Sequence, residues 1–193
     1  MMVPVRCLLI LAGLAHSIVA TGQVPAEERQ ALIDLYQATG GDEWKNNDGW
    51  MGPEGSECDW FGIVCAPDGE GMRVWEIKLA GNRLAGHLPS AFEAFTNLVH
   101  LNLSYNELTG SIPDDLWGLG DEGVLRLDHN EFHGEIPDTL LALPLLNVYV
   151  NDNRLTGYRR SGNDITASGP PAKRLRLSGN LLQQLPPAAW TGN

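Results

Sequence analysis

The feature that most constrains this chain is one motif written three times at a fixed spacing. Residues Leu98 to Leu116 read L-x-x-L-x-L-x-x-N-x-L-x-G-x-I-P-x-x-L, with Leu98, Leu101, Leu103, Asn106, Leu108, Gly110, Ile112, Pro113 and Leu116 at the fixed positions. The same frame lies on Val74, Ile77, Leu79, Asn82, Leu84, Gly86, Leu88, Pro89 and Phe92. It returns on Leu125, Leu127, Asn130, Phe132, Gly134, Ile136, Pro137 and Leu140, so that Asn82, Asn106 and Asn130 are each 24 residues apart. A unit of this length cannot bury its apolar residues alone, and stacking successive units is what makes a continuous core.

Within each unit a short segment alternates with period two. That predicts strands whose inward positions are Ile77/Leu79, Leu101/Leu103, Leu125/Leu127, Val148/Val150 and Leu175/Leu177. The residues between them then face outward on one parallel, concave sheet. Asn82, Asn106, Asn130, Asn153 and Asn180 are expected to turn inward and bond backbone groups of adjacent turns. Losing one leaves buried backbone unpaired, at a cost of about 1–3 kcal/mol.

The frame resembles the plant-type leucine-rich repeat, found in receptor-kinase ectodomains and in secreted inhibitors of cell-wall hydrolases. The resemblance runs from about Gln23 to the C-terminus, because D-L-Y-Q-A-T-G-G-D-E-W-K-N-N-D-G-W and C-D-W-F-G-I-V-C resemble the N-terminal cap of those proteins. It implies an α/β class fold: a leucine-rich-repeat solenoid, a short horseshoe with a parallel concave sheet and a small helical, disulfide-bonded N-terminal cap. The expected division is a leader over 1–22, a cap over 23–73 and about five repeats over 74–193, the last two irregular. In the fourth unit Tyr158-Arg159-Arg160 stands where the frame should continue, residues 163–171 read as a polar loop, and the fifth unit ends in L-P-P-A-A-W-T-G-N without a recognisable cap.

The N-terminus carries Arg6, an apolar run from Cys7 to Ala15 and small residues to Gly22, the order of a cleaved export signal. Its loss takes the net charge from −11 to −12 with Arg6 and leaves Cys58 and Cys65 as an even pair for an oxidising compartment. A C-x6-C metal clip is the alternative, and it lacks further ligands nearby. Closing the Cys58–Cys65 loop is expected to contribute roughly 2–3 kcal/mol. Before it, Pro25 to Ala38 predicts a helix with Pro25 at the first position and Gly40-Gly41 as the stop. Its Leu32, Leu35 and Tyr36 face is expected to cover the open end of the first repeat. Trp44, Trp50 and Trp60 are expected in the cap core, a sugar-binding platform being the other reading.

No sequence signature of a hydrolase, metalloprotease, nucleotide-binding loop or kinase is present, and the carboxylates show no spacing that singles out a pair. The reading is therefore non-catalytic, with no cofactor and no metal. The acidic balance argues against nucleic acid as a partner. The concave face is the candidate surface: a central column of Lys78, Asn102, Arg126, Tyr149 and Arg176, and a neighbouring column of Gly81, Tyr105, His129, Asp152 and Gly179. Trp75, Glu76, His100, Asp128, Asn147, Lys173 and Arg174 flank these columns. Five cations face three acids there, a locally basic and aromatic strip on an acidic protein. The site residues expected to contact a partner are Trp75, Lys78, His100, Asn102, Tyr105, Arg126, His129, Tyr149, Asp152, Arg174 and Arg176.

The partner expected for such a strip is an extracellular protein or peptide, with an acidic polysaccharide as the alternative and a merely solvated sheet face as the contrary reading. Asn102-Leu103-Ser104 is an N-glycosylation acceptor that places a sugar at the centre of the strip. The chain reads as a secreted monomer or weak dimer with no membrane span, resembling a hydrolase inhibitor or defence protein. The alternatives are a receptor ectodomain, whole or in part, and a structural wall or matrix protein.

Overall fold

The structure, a computed structural model, describes residues 23–116, 123–137, 140, 147–159 and 174–183. The expected leader, the loop expected over 163–171, Lys173 and the residues after Gln183 lie outside these. Five short strands, β2 (Met72–Lys78), β4 (His100–Asn102), β6 (Val124–Arg126), β8 (Asn147–Tyr149) and β10 (Arg174–Arg176), pair in parallel in that order. The register places Ile77 beside Leu101, Leu101 beside Leu125, and Leu125 beside Val148. These four and the next row, Leu79, Leu103, Leu127 and Val150, are fully buried. Each such side chain is worth about 1.5–3 kcal/mol when taken from water. Leu175 and Leu177 continue the rows and are only half-buried.

The asparagine ladder forms as the sequence predicts. Asn106 Oδ1 accepts from Asn82 N at 2.9 Å and Leu84 N at 3.0 Å, while its Nδ2 donates to Leu79 O at 2.8 Å and Leu103 O at 3.0 Å. Asn130, Asn153 and Asn180 repeat the pattern by accepting from Leu108 N, Phe132 N and Leu155 N. Asn82, with no repeat before it, exchanges both amide bonds with the backbone of Asn46 in the cap.

The convex side carries paired strands as well as turns. One 3₁₀ turn is present at Phe92–Ala94, but β3 (Ala85–His87) also pairs in parallel with β5 (Glu107–Thr109), and β7 (His133–Pro137) with β9 (Arg154–Arg159). The period that aligns the concave strands aligns these residues too, so Glu107 N donates to Leu84 O and Glu131 N to Leu108 O. The strand β9 runs through Gly157 and Tyr158, so the departure from the frame there does not interrupt backbone pairing. It is absorbed by a register shift at Gly134/Glu135.

The cap expected over 23–73 is built in two parts, the helix and a strand that the sequence did not reveal. Helix α1 (Ala26–Ala38) begins after Pro25, one residue later than expected, and buries Glu28, Ala31, Leu32 and Leu35. Its C-terminal end meets the convex side, where Ala85 N donates to Thr39 O. The edge of the concave sheet is closed instead by β1 (Ile63–Pro67), antiparallel to β2, which removes the unpaired strand edge. The Cys58–Cys65 disulfide, with Cα atoms 5.5 Å apart, ties β1 to the turn before it. Trp44, Trp50 and Trp60 are buried against one another, with ring centroids 4.9 Å apart in each successive pair. Each indole N–H has an acceptor: Thr39 O, Phe61 O and Ser56 Oγ respectively. These rings are cap core, not a sugar platform. Glu28 joins the cap to the first repeat, its Oε2 accepting from Val74 N at 2.8 Å, and burial pushes its carboxyl above the usual range.

Candidate functional site: the concave sheet

Register fixes the concave columns directly. Lys78 pairs with Asn102, Asn102 with Arg126, Arg126 with Tyr149, and Tyr149 with Arg176. One step along, Glu76, His100, Val124, Asn147 and Arg174 form a second row. A depression of about 460 Å³ lies across the middle of the sheet. Six of the sequence-predicted residues line it: His100, Tyr105, Arg126, His129, Tyr149 and Arg176. Trp75, Lys78, Asn102, Asp152 and Arg174 do not. Trp75 is exposed near the N-terminal edge of the sheet, away from the depression.

Charge pairing changes the picture of a basic strip. Arg126 donates through Nε to Asp128 Oδ1 at 3.1 Å and through Nη2 to Asp128 Oδ2 at 3.0 Å, and Asp128 is only 2 % exposed. That hydrogen bonding outweighs burial and holds the Arg126 guanidinium above the ordinary arginine range. Lys78 is ion-paired with Glu76, whose other oxygen is 3.8 Å from His100 Nδ1. Two of the five cations are thus neutralised within the sheet. Arg174 and Arg176, both on β10, make no ion pair among the described residues.

Two aromatic stacks stand beside these pairs. The Tyr149 ring lies between two guanidinium groups, with Arg126 Cζ at 5.3 Å and Arg176 Cζ at 5.5 Å from its centroid. Tyr105 stacks on His129 at 4.2 Å with planes 17° apart, and His129 Nε2 is 3.4 Å from Asp152 Oδ2. Tyr105, His129 and Asp152 all carry positive φ, 57°, 55° and 55°. Their column ends in Gly81 and Gly179, also left-handed. The position is the turn that closes each strand, where Tyr105 N donates to Asp128 O and His129 N to Asn151 O. Glycine fits such a turn without strain, whereas a tyrosine there costs about 1–2 kcal/mol. The three central units thus hold large polar side chains against a backbone cost that the two end units avoid.

Asn102 Oδ1 accepts from Ser104 Oγ at 2.8 Å and from Ser104 N at 3.2 Å, so the two polar residues of the glycosylation triplet are bonded to each other. The sequence reading missed Val124 and Asn151 in the depression. Val124 is apolar, and its parity with His100 and Asn147 was the available signal. Asn151 follows the strand at the position of Asp128, and that alignment was the available signal. Among the described residues no group of three metal-ligating side chains converges. No described helix is long and apolar enough to cross a membrane.

Comparison with known proteins agrees with this geometry. Residues 73–132 match the family described as Leucine rich repeat. A stretch of 76 residues, 39 % of this chain, is 36 % identical to "Probable inactive receptor kinase RLK902" of Arabidopsis thaliana, and the chain covers only 10 % of that protein's length. A chain of the crystal structure of the BIR3–SERK2 complex from Arabidopsis thaliana superposes with a TM-score of 0.67 at 27 % identity. That match covers 82 % of this chain and 85 % of the other. The LRR ectodomain of the Arabidopsis thaliana receptor kinase GASSHO1/SCHENGEN3, in complex with CASPARIAN STRIP INTEGRITY FACTOR 2, matches with a TM-score of 0.53 at 27 % identity. There 80 % of this chain aligns with 21 % of the larger one. The cap, the ladder and the parallel concave sheet agree with these likenesses: residues 73–132 are similar to leucine-rich repeats, and the fold is a leucine-rich-repeat solenoid similar to that of plant receptor ectodomains.

Proposed function

We propose that this chain is an extracellular, non-catalytic recognition module of the receptor-ectodomain kind, and that it binds a protein or peptide across the concave sheet. The observation that carries the reading is the left-handed column: Tyr105, His129 and Asp152 occupy a strained position that Gly81 and Gly179 fill at the ends. Side chains held against a backbone cost cluster where binding needs them. The likeness to a chain of the BIR3–SERK2 complex over most of both chains supports a receptor role. The hydrolase-inhibitor reading has no comparable support.

The pairing of Arg126 with a buried Asp128 also decides which residue tests the idea. Reversing Arg126 sets two carboxylates together and damages the fold, so Arg176, exposed and without an ion pair among the described residues, is the better probe. Peptides selected from a displayed library on the wild-type chain should bind Arg176→Glu at least tenfold more weakly. They should bind Arg154→Glu, on the convex strand β9, with unchanged affinity. Equal affinity for both variants, or loss only with Arg154→Glu, overturns the reading.

A further inference from the structure

The depression in the concave sheet is lopsided in charge. Among the described residues that line it the one acid is Asp128, which is buried and bonded through both oxygens to Arg126. Those bonds use Arg126 Nε and Nη2, so the guanidinium is held in one orientation with Nη1 left for a further acceptor. Arg176 is exposed, makes no ion pair among the described residues, and lies over the same Tyr149 ring as Arg126. Two guanidinium groups set against one aromatic ring have lost part of their rotational freedom before any ligand arrives. The chain as a whole carries a charge of −11, so most of its surface repels an anion and only a local pair of cations holds one.

The sheet sets the spacing of that pair. Strand β8 lies between β6 and β10, so Arg126 and Arg176 stand two strand spacings apart, about 10 Å. A single carboxylate does not span this distance. In an extended β-strand, side chains on one face recur at about 7 Å and then at about 13 Å, and neither interval matches. A polyproline II chain presents every third residue on one side, at intervals of about 9 Å, and does match. Such chains dock in aromatic-lined grooves. The Tyr105–His129 stack and the apolar Val124 supply that kind of surface beside the arginines.

We propose that the depression selects an acidic, proline-rich segment of a protein partner, with two carboxylates three residues apart, one on Arg126 and one on Arg176, and Tyr149 between them. The proposal rests on the concave-sheet reading above and goes beyond it by naming the peptide. The test uses the full chain and two fluorescent peptides of identical composition, acetylated and amidated at their ends, with the central sequences Glu-Pro-Pro-Glu and Pro-Glu-Glu-Pro. By fluorescence anisotropy the first should bind at least tenfold more tightly than the second. Arg176→Gln should bring the two affinities to within about twofold, whereas Arg154→Gln on β9 should preserve the difference. Equal or undetectable binding of the two peptides by the wild type overturns the proposal. If library-selected peptides still depend on Arg176 in that case, the concave-sheet reading stands without it; if they do not, both fall. Displacement of the Glu-Pro-Pro-Glu peptide by an oligogalacturonate at comparable concentration also overturns it, because the site then reads sugar acids.

Discussion

Replacing Asn106 with alanine tests what holds successive turns together. The change leaves Asn82 N–H and Leu84 N–H without their acceptor, and removes the donor shared by Leu79 O and Leu103 O. A buried donor left unpaired costs about 1–3 kcal/mol, so the two N–H groups alone set a range of about 2–6 kcal/mol. The carbonyls have a second lone pair and add less. Water entering the vacated space moves the value toward the lower end, to about 3 kcal/mol, a large share of the 5–15 kcal/mol typical of a folded domain. Asn180 supports a single donor, Leu155 N, at a partly exposed site, so Asn180→Ala should cost about 1 kcal/mol. Urea unfolding of both variants, compared at equal m-value, reads the difference. A loss below about 1 kcal/mol for Asn106→Ala, or no excess over Asn180→Ala, refutes the claim that the ladder is a main source of cohesion.

Three further outcomes follow from particular contacts. Glu28 has a folded pKa raised by burial, so its contribution is fully present below the unfolded value of 4.5 and is lost as pH rises through the folded value. Glu28→Gln keeps an acceptor for Val74 N–H and should abolish that pH dependence, whereas Glu28→Leu should cost about 1–3 kcal/mol at every pH; matching stability profiles for the two variants contradict this. Asp68 is held at about 2, first by the Arg73 Nε hydrogen bond and then by the N–H groups of Glu70 and Gly71. Its contribution is therefore complete above 3.8 and disappears as pH falls through about 2. The Tm gap between wild type and Asp68→Asn should accordingly close over that interval, and a gap that persists at pH 2 argues against it. Tyr105→Gly relieves a left-handed backbone at a residue 58 % exposed. It should leave stability unchanged or raise it by about 1 kcal/mol while weakening peptide binding at least tenfold, and the reverse pattern would mean that the tyrosine is structural.

The fold was readable because stacking repeats one rule at one spacing: the buried pairs Leu101/Leu103 and Leu125/Leu127, and the inward asparagines, follow from it without tertiary information. The antiparallel β1 was not readable, since Ile63–Pro67 belongs to no repeat and its pairing depends on a bulge and on the disulfide bond beside it. At the site, the repeat spacing yields the columns, whereas the charge they present depends on pairing between neighbouring side chains. Glu76 with Lys78, and Arg126 with Asp128, are two residues apart on one strand face, so their mutual neutralisation was visible in principle. The left-handed turn was also written in the sequence, by Gly81 and Gly179 at the ends of the Tyr105 column. What no pattern supplied was the Tyr105–His129 stack and the two arginines around Tyr149, which depend on side-chain rotamers.

The most direct test of a concave binding surface is chemical-shift mapping of the labelled chain with a peptide selected on the wild type. Shifts are expected to centre on His100–Tyr105, Val124–His129, Tyr149 and Arg176, with α1, β3 and β5 unaffected. Shifts confined to α1 or to the convex ladders would contradict it.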